Sequence, residues 1–250
     1  MIRKNQLITP AAQRGAFRKL IGASLVAAAA AAAPAHAGVI TFDGDYVGMI
    51  GGGDVWNEAG YSVGFYANVP GGGVGNLVGQ IFDGNDSSCD ASLACPSNTS
   101  GSYYGALDDS YLDIMFNAGP GFQIKSFDAS FIGGTSNLSS YASVPGLLRV
   151  QAFRADGSYL LQDFALNGPS ANGFSLAHFD TSGAFANTTF VEALVFGFTC
   201  NTSGSCSAFN SDRGQFAIDN INLTDVPEPA SAAIVGLGLL GLGAARRRKS

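Results

Sequence analysis

The sequence predicts an all-β protein whose central body folds as one β-sandwich with a jelly-roll-like arrangement. Ten short runs rich in Val, Ile, Phe and Tyr are separated by turns rich in Gly, Asn, Ser and Pro, a spacing typical of sandwiches and jelly rolls. No long segment of the body shows the 3.6-residue apolar period of an amphipathic helix. The predicted strands cover residues 38–42, 60–67, 77–82, 111–116, 122–132, 148–155, 158–166, 173–179, 189–199 and 215–223.

Three of these runs add detail to the fold prediction. In residues 122–132 the apolar side chains alternate with a period of two, and a phase slip near Ser126 predicts a β-bulge. Asp156 and Gly157 separate two apolar runs, which is a strong hairpin signal. Residues 191–198 (VEALVFGF) are open to a helical interpretation, but their Val and Phe content favours a buried strand.

Residues 1–37 have the features of a signal peptide for Sec-type export. A basic stretch precedes the apolar run 20–33, and Ala35, His36 and Ala37 form a small-residue cleavage pattern. Cleavage after Ala37 makes Gly38 the first residue of the mature chain. The predicted β-sandwich body therefore covers residues 38–225.

Residues 226–250 contain three consecutive blocks that predict membrane anchoring. Val226, Pro227, Glu228 and Pro229 come first, and the uncharged run 230–245 follows. As a transmembrane helix this 16-residue run spans about 24 Å, somewhat less than a hydrocarbon core of about 30 Å. The third block is a basic cluster that we expect to stop transfer and to remain cytoplasmic. It consists of Arg246, Arg247, Arg248 and Lys249.

The charge of the body argues against nucleic acid as a partner. Residues 38–225 contain four Lys or Arg and 18 Asp or Glu, which gives a net charge of about −14. This charge opposes binding to nucleic acid and to an anionic membrane surface. It suits a soluble extracellular domain, and also cation binding.

The four cysteines form two local pairs in the sequence. Cys89 and Cys95 flank one polar loop, and Cys200 and Cys206 flank another. An exported chain meets an oxidising compartment, so we expect disulfides that rigidify these loops. Pairing between the two loops remains an alternative, whereas the spacing does not suit zinc.

The tail resembles the PEP-CTERM sorting signal of Gram-negative bacteria in all three blocks and in their order. The resemblance implies recognition by a membrane transpeptidase of the exosortase type, which cuts near residues 227–229. It further implies transient anchoring in the inner membrane, then release to the cell surface or to the extracellular matrix, where exopolysaccharide is an expected partner.

Short motifs in the body also resemble the domain of many PEP-CTERM proteins. They are TFDG at 41–44, SFDASFI at 126–132, VQAFRADGSYLLQ at 150–162 and QFAID at 215–219. The last one is similar to the QFxxD pattern of one subfamily. These domains are similar to the jelly-roll folds of carbohydrate-binding modules, and the resemblance therefore supports the β-sandwich prediction.

Asp43 and Asp219 are the candidate metal ligands. Asp43 follows the first predicted strand and Asp219 interrupts the last one, and in a jelly roll these two strands often lie side by side. The alternation around Asp219 places it on one face with Ile221 and Leu223, where a buried carboxylate needs a cation or hydrogen-bond donors. A structural Ca²⁺ is one interpretation, and an Asp bonded to backbone amides is the other.

Sugars stack on exposed aromatic rings, and the body offers several candidates. Trp56 lies beside a Gly-rich loop, and one of the adjacent Tyr103 and Tyr104 is expected to face outward from a strand. The other candidates are Tyr61, Tyr66 and Tyr141. Core packing is the alternative role for all of these rings.

We expect a protein without enzymatic activity. His178 is the one histidine left after signal removal, and neither a G-x-S-x-G nor an H-E-x-x-H motif occurs. The sequence therefore predicts a structural or adhesive protein of the envelope or matrix. The alternative is a carbohydrate-binding jelly-roll module with structural Ca²⁺.

Overall fold

In the computed structural model, two antiparallel sheets pack face to face as a sandwich. The structure describes residues 37–84, 89, 92–117, 119–211 and 213–226. The first sheet contains β1 (Ala37–Ile40), β2 (Gly48–Gly51), β5 (Leu77–Asp83), β6 (Ser102–Ala106), β8 (Phe122–Phe131), β11 (Ala177–Asp180) and β14 (Phe216–Asp225). The second contains β3 (Val55–Glu58), β4 (Tyr61–Tyr66), β7 (Tyr111–Phe116), β9 (Gly146–Phe153), β10 (Tyr159–Leu166), β12 (Glu192–Cys200) and β13 (Cys206–Ser207).

The strand order brings the two ends of the body together. The first sheet runs β11-β8-β14-β6-β5-β2, and β1 pairs with β14 beyond the end of β6. The second runs β10-β9-β12-β7-β4-β3, with β13 paired to β12. A short helix, α1 (Gly183–Ala186), and two 3₁₀ turns are the helical elements of the described residues. The expected proximity of the first and last strands is confirmed by the β1–β14 pair.

Alternate side chains of both sheets fill the space between them. Apolar burial of this kind is the main favourable term in folding and explains why a period-two pattern specifies these strands. The first sheet contributes residues such as Ile40, Ile81, Tyr104, Phe127, Ala129, Phe216 and Ile218, and the second sheet residues such as Val63, Phe65, Leu112, Ile114, Val150 and Val195.

The predicted all-β sandwich is confirmed, and so are several of its details. Residues 191–198 lie mainly in β12, and the hairpin between β9 and β10 turns at Asp156 and Gly157, where Gly157 has φ of +81°. The register between β14 and β8 shifts at Ser126, as the phase slip predicted. Strands β2, β3, β6 and β13 were not predicted, because they are short and lie in Gly-rich or polar segments.

A small second apolar cluster lies on the outer face of the first sheet. Phe82, Tyr103, Ile132 and Ala217 are buried there. The loop after β5 covers them with Leu93 and the linked Cys89 and Cys95, and Leu176 adds to the cover. The two local disulfides, Cys89–Cys95 and Cys200–Cys206, are thus confirmed, and the first one fastens a cover over a sheet.

The ends of the chain lie outside the described residues. This applies to the predicted signal peptide up to His36, to the sorting motif after Val226, to the transmembrane run 230–245 and to the basic cluster. Within the described part, every helix is too short or too polar to cross a membrane. Val226, the last described residue, donates its backbone N–H to the Gly121 carbonyl at 3.1 Å.

Candidate functional site

The adjacent Tyr103 and Tyr104 do not form an exposed sugar-stacking site, which corrects the sequence prediction. Both lie on β6, a strand inside the first sheet, and they are 2% and 0% exposed. Tyr104 faces the main core and donates its hydroxyl to the Val78 carbonyl at 3.1 Å, while Tyr103 faces the second cluster. Both sides of β6 are covered, and alternation therefore exposes neither ring.

Trp56, the third predicted stacking residue, packs against the core as well. Its ring centroid lies 6.0 Å from that of Phe42, and its Nε1 donates to Glu58 at 2.9 Å. The same Glu58 carboxylate accepts from the backbone N–H groups of Thr41 and Phe42 at 3.1 Å each. Trp56 and Glu58 therefore secure the chain that leaves β1.

The structure brings Asp43 and Asp219 into the same part of the first sheet. Asp43 accepts a 2.6 Å hydrogen bond from the backbone N–H of Ser102, and Asp219 accepts one of 2.7 Å from that of Asn220. Burial raises the pKa of Asp219 to about 7, and the negative charges of Asp43, Asp128 and Glu58 act in the same direction. Both causes disfavour the ionised form of the Asp219 carboxyl, and burial is the larger of the two.

The side of β14 that carries Asp219 differs from the prediction. Asn220 has φ of +50° within a bulge, so Ile221 and Leu223 point into the main core. Asp219 lies instead on the outer face, 8% exposed, beside the second cluster at Ala217. The extra residue at the bulge inverts the inward–outward alternation of side chains along β14. The prediction that Asp219 shares a face with Ile221 and Leu223 is therefore wrong.

The described residues do not fit a Ca²⁺ site. Calcium takes six to eight oxygen ligands, but no three His, Cys, Asp or Glu side chains in this part of the chain are arranged to hold a metal ion. Next to Asp219, Asp128 is held by His178 Nδ1 at 2.7 Å and by Asn220 Nδ2 at 2.8 Å. The hydrogen bond between His178 and Asp128 is the main cause of the raised pKa of His178.

The outer face of the second sheet carries a line of aromatic rings. Of these rings, only that of Tyr66 was predicted from the sequence as a candidate. Antiparallel register places Tyr66 opposite Tyr111, and Tyr111 opposite Phe196. Phe198 follows two residues later on β12, and Phe209 packs over Tyr111 and Phe196. We call these five residues the aromatic row.

Ring distances show that the aromatic row is continuous. The centroids are 5.6 Å apart for Tyr66–Tyr111, 6.4 Å for Tyr111–Phe209, 5.0 Å for Phe196–Phe209 and 5.7 Å for Phe196–Phe198. These separations are typical of interacting aromatic pairs. Four of the rings are partly exposed, and Phe196 is buried beneath its neighbours.

A cation and a carboxylate extend the aromatic row across the next two strands. Arg149 of β9 lies opposite Phe196, and its guanidinium carbon is 4.8 Å from the centre of the Phe198 ring. Asp163 of β10 accepts from Arg149 Nε at 2.6 Å and from Nη2 at 2.7 Å. This bidentate pair fixes the guanidinium plane over the ring.

Next to the aromatic row, Asp113 offers a hydrogen-bond acceptor. Its Oδ1 is buried and has no partner among the described residues. Burial raises the pKa of Asp113 to about 6, and the charge of Glu192 adds to this effect. On the adjacent strand Gly64 leaves room for the Tyr66 ring, because a Cβ there would lie 2.6 Å from Tyr66 Cε2.

Comparison with solved structures finds matches of low sequence identity and low TM-score. A DUF4465 family protein from Bacteroides ovatus is 9% identical with a TM-score of 0.37, over 77% of this chain and 100% of that one. The C-terminal family 22 carbohydrate-binding module of Clostridium thermocellum Xyn10B is 9% identical with a TM-score of 0.33, over 74% and 90%. The enzymatically active domain of bacteriophage CBA120 tailspike protein 4 is 14% identical with a TM-score of 0.28, over 66% and 19%.

Sequence comparison gives a match at the tail. No curated protein matches the chain. Residues 225–249 match the family model of the PEP-CTERM protein-sorting motif, while membership of the QFxxD subfamily stays a prediction. The chain therefore carries a PEP-CTERM protein-sorting motif at residues 225–249, and this motif is a signal for export and C-terminal sorting.

Proposed function

We propose that this protein is an exported structural or adhesive component of the bacterial cell surface or extracellular matrix. An exosortase-type transpeptidase is the expected processing partner, and residues 227–229 are its recognition site. The single observation that carries the proposal is the sorting-motif match at 225–249. Sec-type export, the inner-membrane intermediate and the final destination belong to the proposal.

The body has properties that suit this destination. Two disulfides require an oxidising compartment to persist. The net charge of about −14 keeps the domain soluble and away from anionic surfaces. We assign the body a binding role without catalysis, because its exposed face presents aromatic rings and a fixed ion pair.

Mass spectrometry of the mature C-terminus tests the sorting proposal. We expect the exported protein to end near residues 227–229 in cells that contain the processing enzyme, and to retain Lys249 in cells that lack it. A Pro227→Ala/Pro229→Ala variant should remain uncleaved, whereas the body variant Pro120→Ala should be processed normally. Intact Lys249 on the secreted protein in normal cells would refute the proposal.

Carbohydrate binding through the aromatic row is the second candidate function. The observation that favours it is the partly exposed line of rings from Tyr66 to Phe198, with Arg149 fixed beside it. The C–H faces of sugar rings pack on such surfaces. A sugar hydroxyl that donates to the free Oδ1 of Asp113 would remove the cost of a buried acceptor without a partner.

Glycan-array binding by the full-length protein in detergent separates the two candidates. If the aromatic row binds neutral glycans, Tyr66→Ala and Phe209→Ala should each weaken binding about tenfold. Tyr159→Ala is the matched control, because Tyr159 is an exposed tyrosine of the same sheet and lies outside the aromatic row. Absence of glycan binding, or equal losses in all three variants, would leave the structural role as the conclusion.

A further inference from the structure

A cleft of about 610 Å³ lies at one end of the sandwich, where β8 and β12 finish and β9 and β14 begin. Its walls come from the loop between β8 and β9, from residues 199–202 at the β12–β13 hairpin, and from Arg213. This volume is within the range of 300–1,000 Å³ that is typical of small-molecule sites. The cleft contains none of the residues of the aromatic row.

The hairpin wall of the cleft is held in place covalently and by hydrogen bonds. The Cys200–Cys206 disulfide closes the hairpin. Asn201 Oδ1 accepts from the Ser203 N–H at 3.0 Å, from the Ser203 hydroxyl at 2.7 Å and from the Ser205 N–H at 3.0 Å. Since these bonds use the carbonyl side of the Asn201 amide, its NH₂ group remains available as a donor.

The opposite wall is fixed by Tyr141. Its hydroxyl donates to the Thr135 carbonyl at 2.7 Å and accepts from the Thr135 N–H at 2.9 Å. The Tyr141 ring packs edge-on against Phe174 and Phe131 at centroid distances of 5.2 and 6.1 Å. Both walls are therefore formed before a ligand arrives, which reduces the entropic cost of binding.

The charge of the cleft is opposite to that of the body. Arg213 is its one charged lining residue, and no Asp or Glu lines it among the described residues. The other three cations of the body have partners: Lys125 donates to Gln123 and Ala186, Arg149 pairs with Asp163, and Arg154 donates to Ser158. Arg213 is exposed and forms no hydrogen bond or ion pair with the described residues.

We propose that this cleft binds the carboxylate-bearing ring of an acidic polysaccharide, a hexuronate residue. The planar guanidinium of Arg213 matches a carboxylate with two parallel hydrogen bonds. Asn201 and Thr202 line the same space, and an amide and a hydroxyl are groups that suit sugar hydroxyls. Tyr141 and Pro145 supply an apolar wall for the C–H face of the ring.

The single cation selects this ligand class over others. A di- or triphosphate concentrates two or more negative charges within the cleft beside a body of net charge about −14, and one arginine does not offset that repulsion. A hexuronate brings one charge for each ring. The inference does not rest on the aromatic row, because the two sites share no residue.

Isothermal titration of the full-length protein in detergent with trigalacturonate tests the inference. The matched ligand is the trimethyl ester of the same trisaccharide, which has the same rings without the charge. We expect trigalacturonate to bind at least tenfold more tightly than the ester, and higher salt to weaken binding because the pair is exposed. Absence of trigalacturonate binding, or equal affinity for the ester, overturns the proposal.

Three variants locate the site. Arg213→Gln should reduce the affinity at least tenfold, and Thr202→Glu should do the same by placing a negative charge in the cleft. Arg154→Gln removes a partly exposed arginine at the β9–β10 hairpin, which is not part of the cleft, and should bind normally. Unchanged affinity in Arg213→Gln overturns the cleft assignment. A loss in Tyr66→Ala would transfer trigalacturonate binding to the aromatic row and equally overturn it.

Discussion

The outer faces of the two sheets differ although the sheets share one core. On the first sheet, the outer face is covered by the loop of the Cys89–Cys95 disulfide, and Tyr103 is buried beneath it. On the second sheet, the outer face leaves the aromatic row open together with Tyr159, which is 54% exposed. Aromatic residues occur on both outer faces. The two faces differ because a loop covers the first face and leaves the second face open.

This difference assigns separate roles to the two faces. A covered aromatic residue contributes to the stability of the fold, whereas an uncovered ring presents apolar surface to a partner. The first face is therefore structural, and the second face is the candidate for adhesion. Substitutions of similar residues on the two faces should separate stability from binding.

Tyr103→Ala is expected to give the largest loss of stability. It leaves a cavity beside Phe82, whose ring stacks on that of Tyr103 at 5.3 Å, and we expect a loss of about 3 kcal/mol in the free energy of unfolding. The counterpart on the open face, Phe198→Ala, should lose about 1 kcal/mol, because its ring is partly exposed and contacts Arg149 and Phe196 at the surface of the sheet. Urea denaturation measures both values, and equal losses would contradict the comparison.

Removal of either disulfide should lower the stability less than Tyr103→Ala does, and the two disulfides should differ in their effect. Both bridges join residues separated by six positions, so chain entropy predicts the same loss of about 2 kcal/mol for each. Cys89→Ser/Cys95→Ser should lose more stability than this entropic value, since the Cys89–Cys95 bridge also packs on the second apolar cluster.

The matched variant for this test is Cys200→Ser/Cys206→Ser. Its bridge closes a polar hairpin that lies outside both apolar clusters, so its loss should remain near the entropic value. Thermal unfolding of both double variants provides the comparison. A larger loss in the hairpin variant would show that the disulfide loop does not act as a cover.

The local pattern of the sequence was sufficient to predict the sandwich but not its outer faces. Period-two alternation reports which side of a strand is apolar, and this identified β8, β9 and β12. It does not report whether a loop from another part of the chain covers the other side. Tyr103 therefore looked like an exposed ring, because its cover comes from a segment about ten residues earlier in the chain.

The candidate site depended on pairing that lies beyond sequence reasoning. Tyr66, Tyr111 and Phe196 are far apart in sequence and become neighbours only through the register of β4, β7 and β12. The bulge at Asn220 had no sequence signal, and it reversed the side on which Asp219 lies. Local disulfide spacing and the sorting motif were predictable because each lies within one short segment.

Each outer face also carries an aspartate with a raised pKa, Asp219 on the first sheet and Asp113 on the second. The resulting pH dependence of stability is the smallest of the predicted effects. Burial raises the pKa of Asp219 to about 7 and that of Asp113 to about 6, against about 3.9 in an unfolded chain. A folded pKa above the unfolded value means that ionisation costs stability. The stability should therefore fall as pH rises from about 4, up to about 7 for Asp219 and about 6 for Asp113.

Asp219→Asn removes that cost and keeps an acceptor for the Asn220 N–H. We expect its melting temperature to exceed that of the wild type by about 3 °C at pH 8 and to approach that of the wild type at about pH 3, where the carboxyl group is mainly protonated in both the folded and the unfolded state. Asp113→Asn should give a smaller gain, which is complete by pH 6–7. Calcium bound by Asp43 and Asp219 would reverse the sign of the change in melting temperature. In Ca²⁺, Asp219→Asn would then lower the melting temperature, and a chelator would lower the melting temperature of the wild type. Because the two carboxylates already accept backbone hydrogen bonds, we expect chelator to leave the wild-type melting temperature unchanged.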